Sequence, residues 1–152
     1  MLIKTHLAIA LCLILLFVPY VKYPFLFLII GLLSAYLPDI DSKNSKIGNH
    51  WYLRPFQWIV KHRGFIHSFS FLFLIVVLLA LFVPYLSLPF FVGYSSHLVA
   101  DSFTSEGITP FYPLRKKSRG NIYTGGVNEL NVFILFVILD FILLFKNYNF
   151  FL

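Results

Sequence analysis

The stretch Lys61–Phe82, KHRGFIHSFSFLFLIVVLLALF, decides the fold. It opens on two histidines, an arginine and a glycine. From Phe71 onward every side chain to Val83 is apolar. A bilayer core about 30 Å thick asks for about 20 helical residues of this kind, so the run reads as a membrane helix over Phe65–Leu86. Histidine and arginine are costly in lipid, and ionisable groups at such a place carry function by default. The polar lip at His62, Arg63 and His67 therefore needs its own explanation.

The rest of the chain agrees with a membrane reading. It has 152 residues, 59% hydrophobic and 12% charged. Soluble domains run nearer half apolar and a quarter charged. Four more apolar segments are predicted at Leu2–Tyr20, Tyr23–Leu37, Leu88–Phe103 and Leu130–Phe145. The expected fold is all-α: a multi-pass bundle of about five transmembrane helices, forming a single domain over residues 1–152. VPYVKYP (Val18–Pro24) and VPYLSLP (Val83–Pro89) each bracket a tight connection with two prolines, which suggests two helical hairpins. The single Cys12 excludes a disulfide framework and reads as a small buried hydrophobe. The N-terminal run has no small-residue cleavage site and is expected to stay as the first helix.

Charge then sets the sides. Up-and-down helices put Lys4, Lys43, Lys46, Arg54, Lys61, Arg63, Arg115, Lys116, Lys117 and Arg119 on one face. The other face receives Lys22 and Lys146. Ten against two is a strong positive-inside bias, predicting a cytoplasmic N-terminus in the inner membrane. The net charge of +6 is thus accounted for by topology and attraction to anionic lipid head groups. No basic module with interleaved aromatics points to nucleic acid, and none is expected as a partner.

On this scaffold His6, Asp39, Asp41, His62, His67, His97 and Asp101 all fall at the cytoplasmic ends of four helices. His97 and Asp101 are four apart and share one helix face. His62 and His67 are five apart, so both reach one site only if His62 precedes the regular helix. Each histidine alone could be an interfacial or capping residue, and Asp39 could merely end a helix. The joint placement favours a metal site facing the cytoplasm. Mixed imidazole and carboxylate ligands suit zinc first, then manganese or iron. The set exceeds the needs of one tetrahedral ion, so roughly one to three ions are expected. Two ions about 3.5–4 Å apart would suit in-line attack on a phosphoester by a metal-activated water. Asp39, Asp41 or Asp101 could take the water's proton. Arg63 could clamp a phosphate as a bidentate fork, or serve only as a topology charge. Thr104 and Glu106 are candidates to support the ligands, and Asn128 and Glu129 to cap the last helix. Asp140 lies deeper, too far to join the cluster. No glycine-rich phosphate loop, nucleophile elbow or HExxH is present.

Thr5-His6, LPDID, HRGFIHS and SHLVADSFTSEGITPFYP occur in an order that resembles the YdjM family. That family is described as LexA-binding, inner-membrane-associated, metal-dependent hydrolases. The likeness covers most of the chain up to Pro113; Ile66 stands where a threonine is expected. The resemblance implies a multi-pass protein with a metal-dependent hydrolase site. Through its His-x-x-x-Asp element it is distantly similar to zinc-dependent phospholipases C. His97 and Asp101 would then be the clearest ligands, followed by Asp39, His62 and His67, with His6 completing the shell. No interaction motif accompanies the LexA-binding label. The expected substrate is a phosphoester of a lipid or another membrane-associated molecule. The alternatives are a non-catalytic binding protein or transporter holding a metal or anionic lipid, and a scaffold whose metal is structural.

Overall fold

A computed structural model describes residues 1–41, 51 and 64–148. Among these residues the chain forms five α-helices and no named strand. They are α1 (Ile3–Phe17), α2 (Pro24–Tyr36), α3 (Phe69–Phe82), α4 (Pro84–Ser102) and α5 (Val127–Lys146). Short 3-10 turns follow α1 (Val18–Tyr20) and α2 (Leu37–Asp41).

Proline sets several of these bounds. Pro24 and Pro84 occupy the first turns of α2 and α4, where the missing N–H has no helical partner to lose. The sequence reading placed the second hairpin break across Val83–Pro89. The structure puts it at Val83 alone, and α4 runs on through Pro89. As a result α3 stops four residues early and α4 begins four residues early. The cause is that Pro84 starts a helix as readily as it ends one. With 14 residues, α3 is about 21 Å long, short of a full bilayer core.

α4 is the hub and packs against α1, α2 and α3, whereas α5 leans on α1. The cores lie between these helices. One comprises Ala10, Ile14, Leu15, Val18, Phe27, Ala35 and Val92. The other gathers Ile66, Leu72, Tyr94, Leu98 and Ile108. The outside is as apolar as the inside. On α5, Leu130, Ile134, Leu135, Ile138, Phe141 and Phe145 are exposed, while its acidic Glu129 and Asp140 are buried. In water such a continuous apolar surface would be an aggregation or binding patch. The stretches Ile3–Tyr20 and Val127–Lys146 are long and apolar enough to cross a membrane.

The crossing of α2 with α4 is made by small residues. Gly31 and Ser34 meet Pro89 and Gly93, and the Ser34 hydroxyl donates to the Gly31 carbonyl at 2.9 Å and lies 3.4 Å from the Pro89 carbonyl. Small side chains let membrane helices approach closely, where lipid offers no hydrophobic drive for association. Beyond α4 the segment 103–126 folds back as an irregular loop. Two isolated bridges, Thr104 with Ile122 and Ile108 with Ser118, pin it. Gly107, at φ +66°, makes the turn that lets Ile108 reach Ser118. The loop also braces α3, since the Phe69 N–H donates to the Pro110 carbonyl at 2.7 Å.

Candidate metal centre

Four elements deliver ionisable side chains to one end of the bundle. His6 lies in the first turns of α1. Asp39 lies in the 3-10 turn after α2, where Pro38 follows the end of the helix. His67 lies just before Ser68, which caps α3 by accepting the Phe71 N–H at 3.2 Å. His97 and Asp101 share a face of α4. The Tyr94 hydroxyl, one turn before His97, donates to the Ile66 carbonyl at 2.9 Å and so fixes the turn bearing His67.

The donor atoms of His6, His97 and Asp101 lie within 4.8 Å of one another. Those of Asp39, His67 and His97 meet the same limit, so His97 belongs to both groups. His6 Nε2 stands 3.2 Å from Asp101 Oδ1. His97 Nε2 stands 3.8 Å from Asp39 Oδ1 and 3.9 Å from Asp101 Oδ2. The His6 and His97 rings stack with centroids 3.8 Å apart and planes 6° from parallel. The His67 ring meets His97 edge-on at 5.5 Å. The Met1 amino nitrogen lies 2.7 Å from Asp101 Oδ1.

His97 is the test of fit. Its ring is fully buried, and Nδ1 lies 2.8 Å from the Ala35 carbonyl. A carbonyl only accepts, so Nδ1 carries the proton and Nε2 presents its lone pair to the cluster. That Nε2 has no hydrogen-bond partner among the described residues. Leaving a buried acceptor unsatisfied costs roughly 1–3 kcal/mol. The two carboxylates beside it are too far for hydrogen bonds. Ligands about 2.0–2.2 Å from a shared ion stand roughly 3–4 Å apart, which matches this spacing. The residues therefore fit a divalent cation, with the Ala35 carbonyl holding the imidazole as outer partners of ligating histidines do. Burial pushes the Asp39 carboxyl above the ordinary carboxylate range, against the opposing pull of His6 and His67. A bound cation would pull the same way as those histidines and favour the ionised carboxylate.

Of the seven predicted ligands, the structure brings together His6, Asp39, His67, His97 and Asp101. His62, Arg63 and the Asp41 side chain lie outside the described residues. Thr104 supports the site through the backbone. Its hydroxyl donates to the Asp101 carbonyl at 2.7 Å and accepts the Gly107 N–H at 3.2 Å, closing the end of α4.

The family model for the YdjM inner membrane protein matches residues 1–152. The chain belongs to the YdjM inner membrane protein family. Over 98 residues it is 34% identical to the inner membrane protein YdjM of Escherichia coli (strain K12), covering 59% of this chain and 50% of that one. The Shigella flexneri protein of the same name gives the same figures. The Bacillus subtilis (strain 168) protein YvsG, which is described as uncharacterized, is 30% identical over 105 residues, 65% of this chain and 66% of its own. The chain spans about half the length of the two YdjM relatives. No solved structure matches.

Glu129 does more than cap α5 in this YdjM-family chain. Its carboxylate is buried; Oε1 accepts the Leu2 N–H at 2.5 Å and Oε2 the Gly125 N–H at 2.6 Å. It thereby ties the start of α1, one turn before His6, to the start of α5. Glu129→Ala would leave those two donors without their partner, at roughly 1–3 kcal/mol each. Thermal unfolding in detergent should show a clear fall in Tm. An unchanged Tm would show that water or neighbouring groups replace the carboxylate.

Proposed function

We propose that this chain is a multi-pass inner-membrane hydrolase that uses a divalent metal, zinc by preference, to cleave a phosphoester carried by a lipid. The observation that carries the reading is the His97 Nε2 atom, buried without a hydrogen-bond partner between two carboxylates and shared by both ligand groups. A soluble-protein core would fill such a place with an apolar side chain or a paired one. The inner membrane is supported by the family and by the names of its relatives. The charge asymmetry supports a cytoplasmic site, and the apolar exterior of α5 supports lipid as solvent.

In this reading His97 would hold the ion with His6 and Asp101 or with Asp39 and His67, and Asp39 has a double use. A bound divalent ion supplies Lewis-acid polarisation of a phosphoryl oxygen and lowers the pKa of its water toward 7. Asp39 is the most exposed of the five, with its side chain 18% accessible. In the proposed reaction its carboxylate would accept the proton of the metal-activated water. The Ala35 carbonyl keeps His97 in one tautomer throughout. Arg63 is the candidate to clamp the phosphate.

The test is metal analysis of purified protein coupled to hydrolysis of a phospholipid and phosphodiester panel. Asp39→Asn should lower turnover about a hundredfold or more, the usual contribution of a general base. Unchanged turnover would remove Asp39 from the chemistry. Failure of the metal-loaded wild-type protein on every member of the panel would refute the hydrolase reading.

A further inference from the structure

α1 is flanked by α2 on one side and α5 on the other, and a trough of about 520 Å³ opens between them. Its walls are Leu7 and Leu11 of α1, Leu33 and Tyr36 of α2, and Phe141 and Leu144 of α5. Two observations separate it from an ordinary lipid-facing crevice. First, its lining includes the sequence neighbours of two residues of the metal cluster. Leu7 follows His6, and Tyr36 follows the Ala35 whose carbonyl holds His97. Second, it contains Asp140, which is only 6% exposed and whose Oδ1 has no hydrogen-bond partner among the described residues. A carboxyl group placed against hydrocarbon is costly without a partner. Asp140 shares the trough with Ala8 and Leu11, two and five residues beyond His6. At 1.5 Å per residue those levels lie about 3–8 Å deeper than the cluster.

We propose that the trough receives one acyl chain and the adjoining ester of a phosphoglycerolipid whose phosphate reaches the metal cluster. This rests on the lipid-phosphoester reading above and names the substrate class. The hydrocarbon lies along Leu11, Leu33, Phe141 and Leu144. The ester sits a few ångströms below the phosphate, at the level of Asp140. A carboxyl group that keeps its proton donates one O–H, and an ester carbonyl accepts it. The lipid thus satisfies Asp140 Oδ1, which has no hydrogen-bond partner among the described residues, and Asp140 acts as a positioning residue.

Native mass spectrometry of the full chain, zinc-loaded in detergent and given phosphatidylglycerol, tests this without relying on turnover. The wild-type protein should retain one phosphatidylglycerol per chain, and chelation of zinc should weaken retention. Leu33→Trp fills the trough from a side chain that is 57% exposed, so it should spare the fold. Asp140→Leu removes the hydrogen bond. Each should cut retention at least tenfold with bound zinc unchanged, and Asp140→Asn, which still donates, should restore most of it. Retention unmoved by both Leu33→Trp and Asp140→Leu would overturn the proposal, as would retention indifferent to zinc. Retention as expected without cleavage of any lipid would overturn the hydrolase reading and leave the trough assignment standing. Cleavage with retention unmoved by both variants would do the reverse.

Discussion

Alanine in place of His97 is expected to abolish metal retention. The reason is its position in both ligand groups, with His6 and Asp101 on one side and with Asp39 and His67 on the other. Removing any other ligand leaves one group of three intact. Removing His97 leaves two pairs with no shared donor. Loss of an outer partner of a metal ligand alone typically costs 10–100-fold in affinity. Loss of the ligand itself at a shared corner should exceed about a hundredfold. His6→Ala, by contrast, spares Asp39, His67 and His97 and should leave partial binding. Zinc titration with elemental analysis of both variants measures the difference. Full stoichiometric zinc in His97→Ala would refute the site as drawn, and equal loss in the two variants would show that His6 is as essential to the site as His97. The deleted ring is fully buried and stacked on His6, so a cavity accompanies the loss. Circular dichroism separates that effect, because helix content should persist while zinc does not.

The ligands could be read from the sequence because lipid makes ionisable residues conspicuous. His6, Asp39, His67, His97 and Asp101 stand at the ends of apolar runs, and the alternation of helices puts those ends together. Hydropathy also found the apolar segments, and α2 matches its predicted bounds to within a residue. It misplaced the α3–α4 junction because hydropathy does not distinguish a proline that starts a helix from one that ends it. The supporting atoms were harder to see. The Ala35 carbonyl is backbone and leaves no trace in residue type. Glu129 looked like a helix cap because nothing local shows that it reaches Leu2 across the bundle. Gly31 and Gly93 were passed over because each is a single small residue in an apolar run. Their spacing to Ser34, Ala35 and Ser96 was the available signal, since small residues three or four apart mark a close helix crossing in a membrane.

That crossing carries the second large effect. Gly93→Ala should disrupt the α2–α4 contact and take the metal site with it. A Cβ at Gly93 would overlap the Gly31 carbonyl oxygen and the Ser34 hydroxyl and come within 2.8 Å of the Gly31 carbonyl carbon. Two of these are backbone atoms in the middle of α2, so no rotamer change relieves the clash. The helices must separate. Overpacking a tight core costs about 1–3 kcal/mol, occasionally more, and a backbone-to-backbone clash belongs at the upper end. Separation would also pull the Ala35 carbonyl away from His97 Nδ1, now 2.8 Å apart, and release the imidazole from the orientation that aims Nε2 at the cluster. Zinc affinity should therefore fall about 10–100-fold, as when an outer partner of a ligand is lost, although Gly93 touches no ligand in the cluster. Gly31→Ala is the control. Its Cβ would meet Ile14 Cδ1 at 2.6 Å and Cγ1 at 2.8 Å, both side-chain atoms, with the Pro89 carbonyl at a comfortable 3.7 Å. Ile14 can turn aside, so both Tm and zinc affinity should change much less. Equal behaviour of the two alanine variants would show that α2 and α4 are not held at this distance in the membrane. A fall in Tm for Gly93→Ala with zinc affinity intact would show that the site tolerates loss of the Ala35 bond.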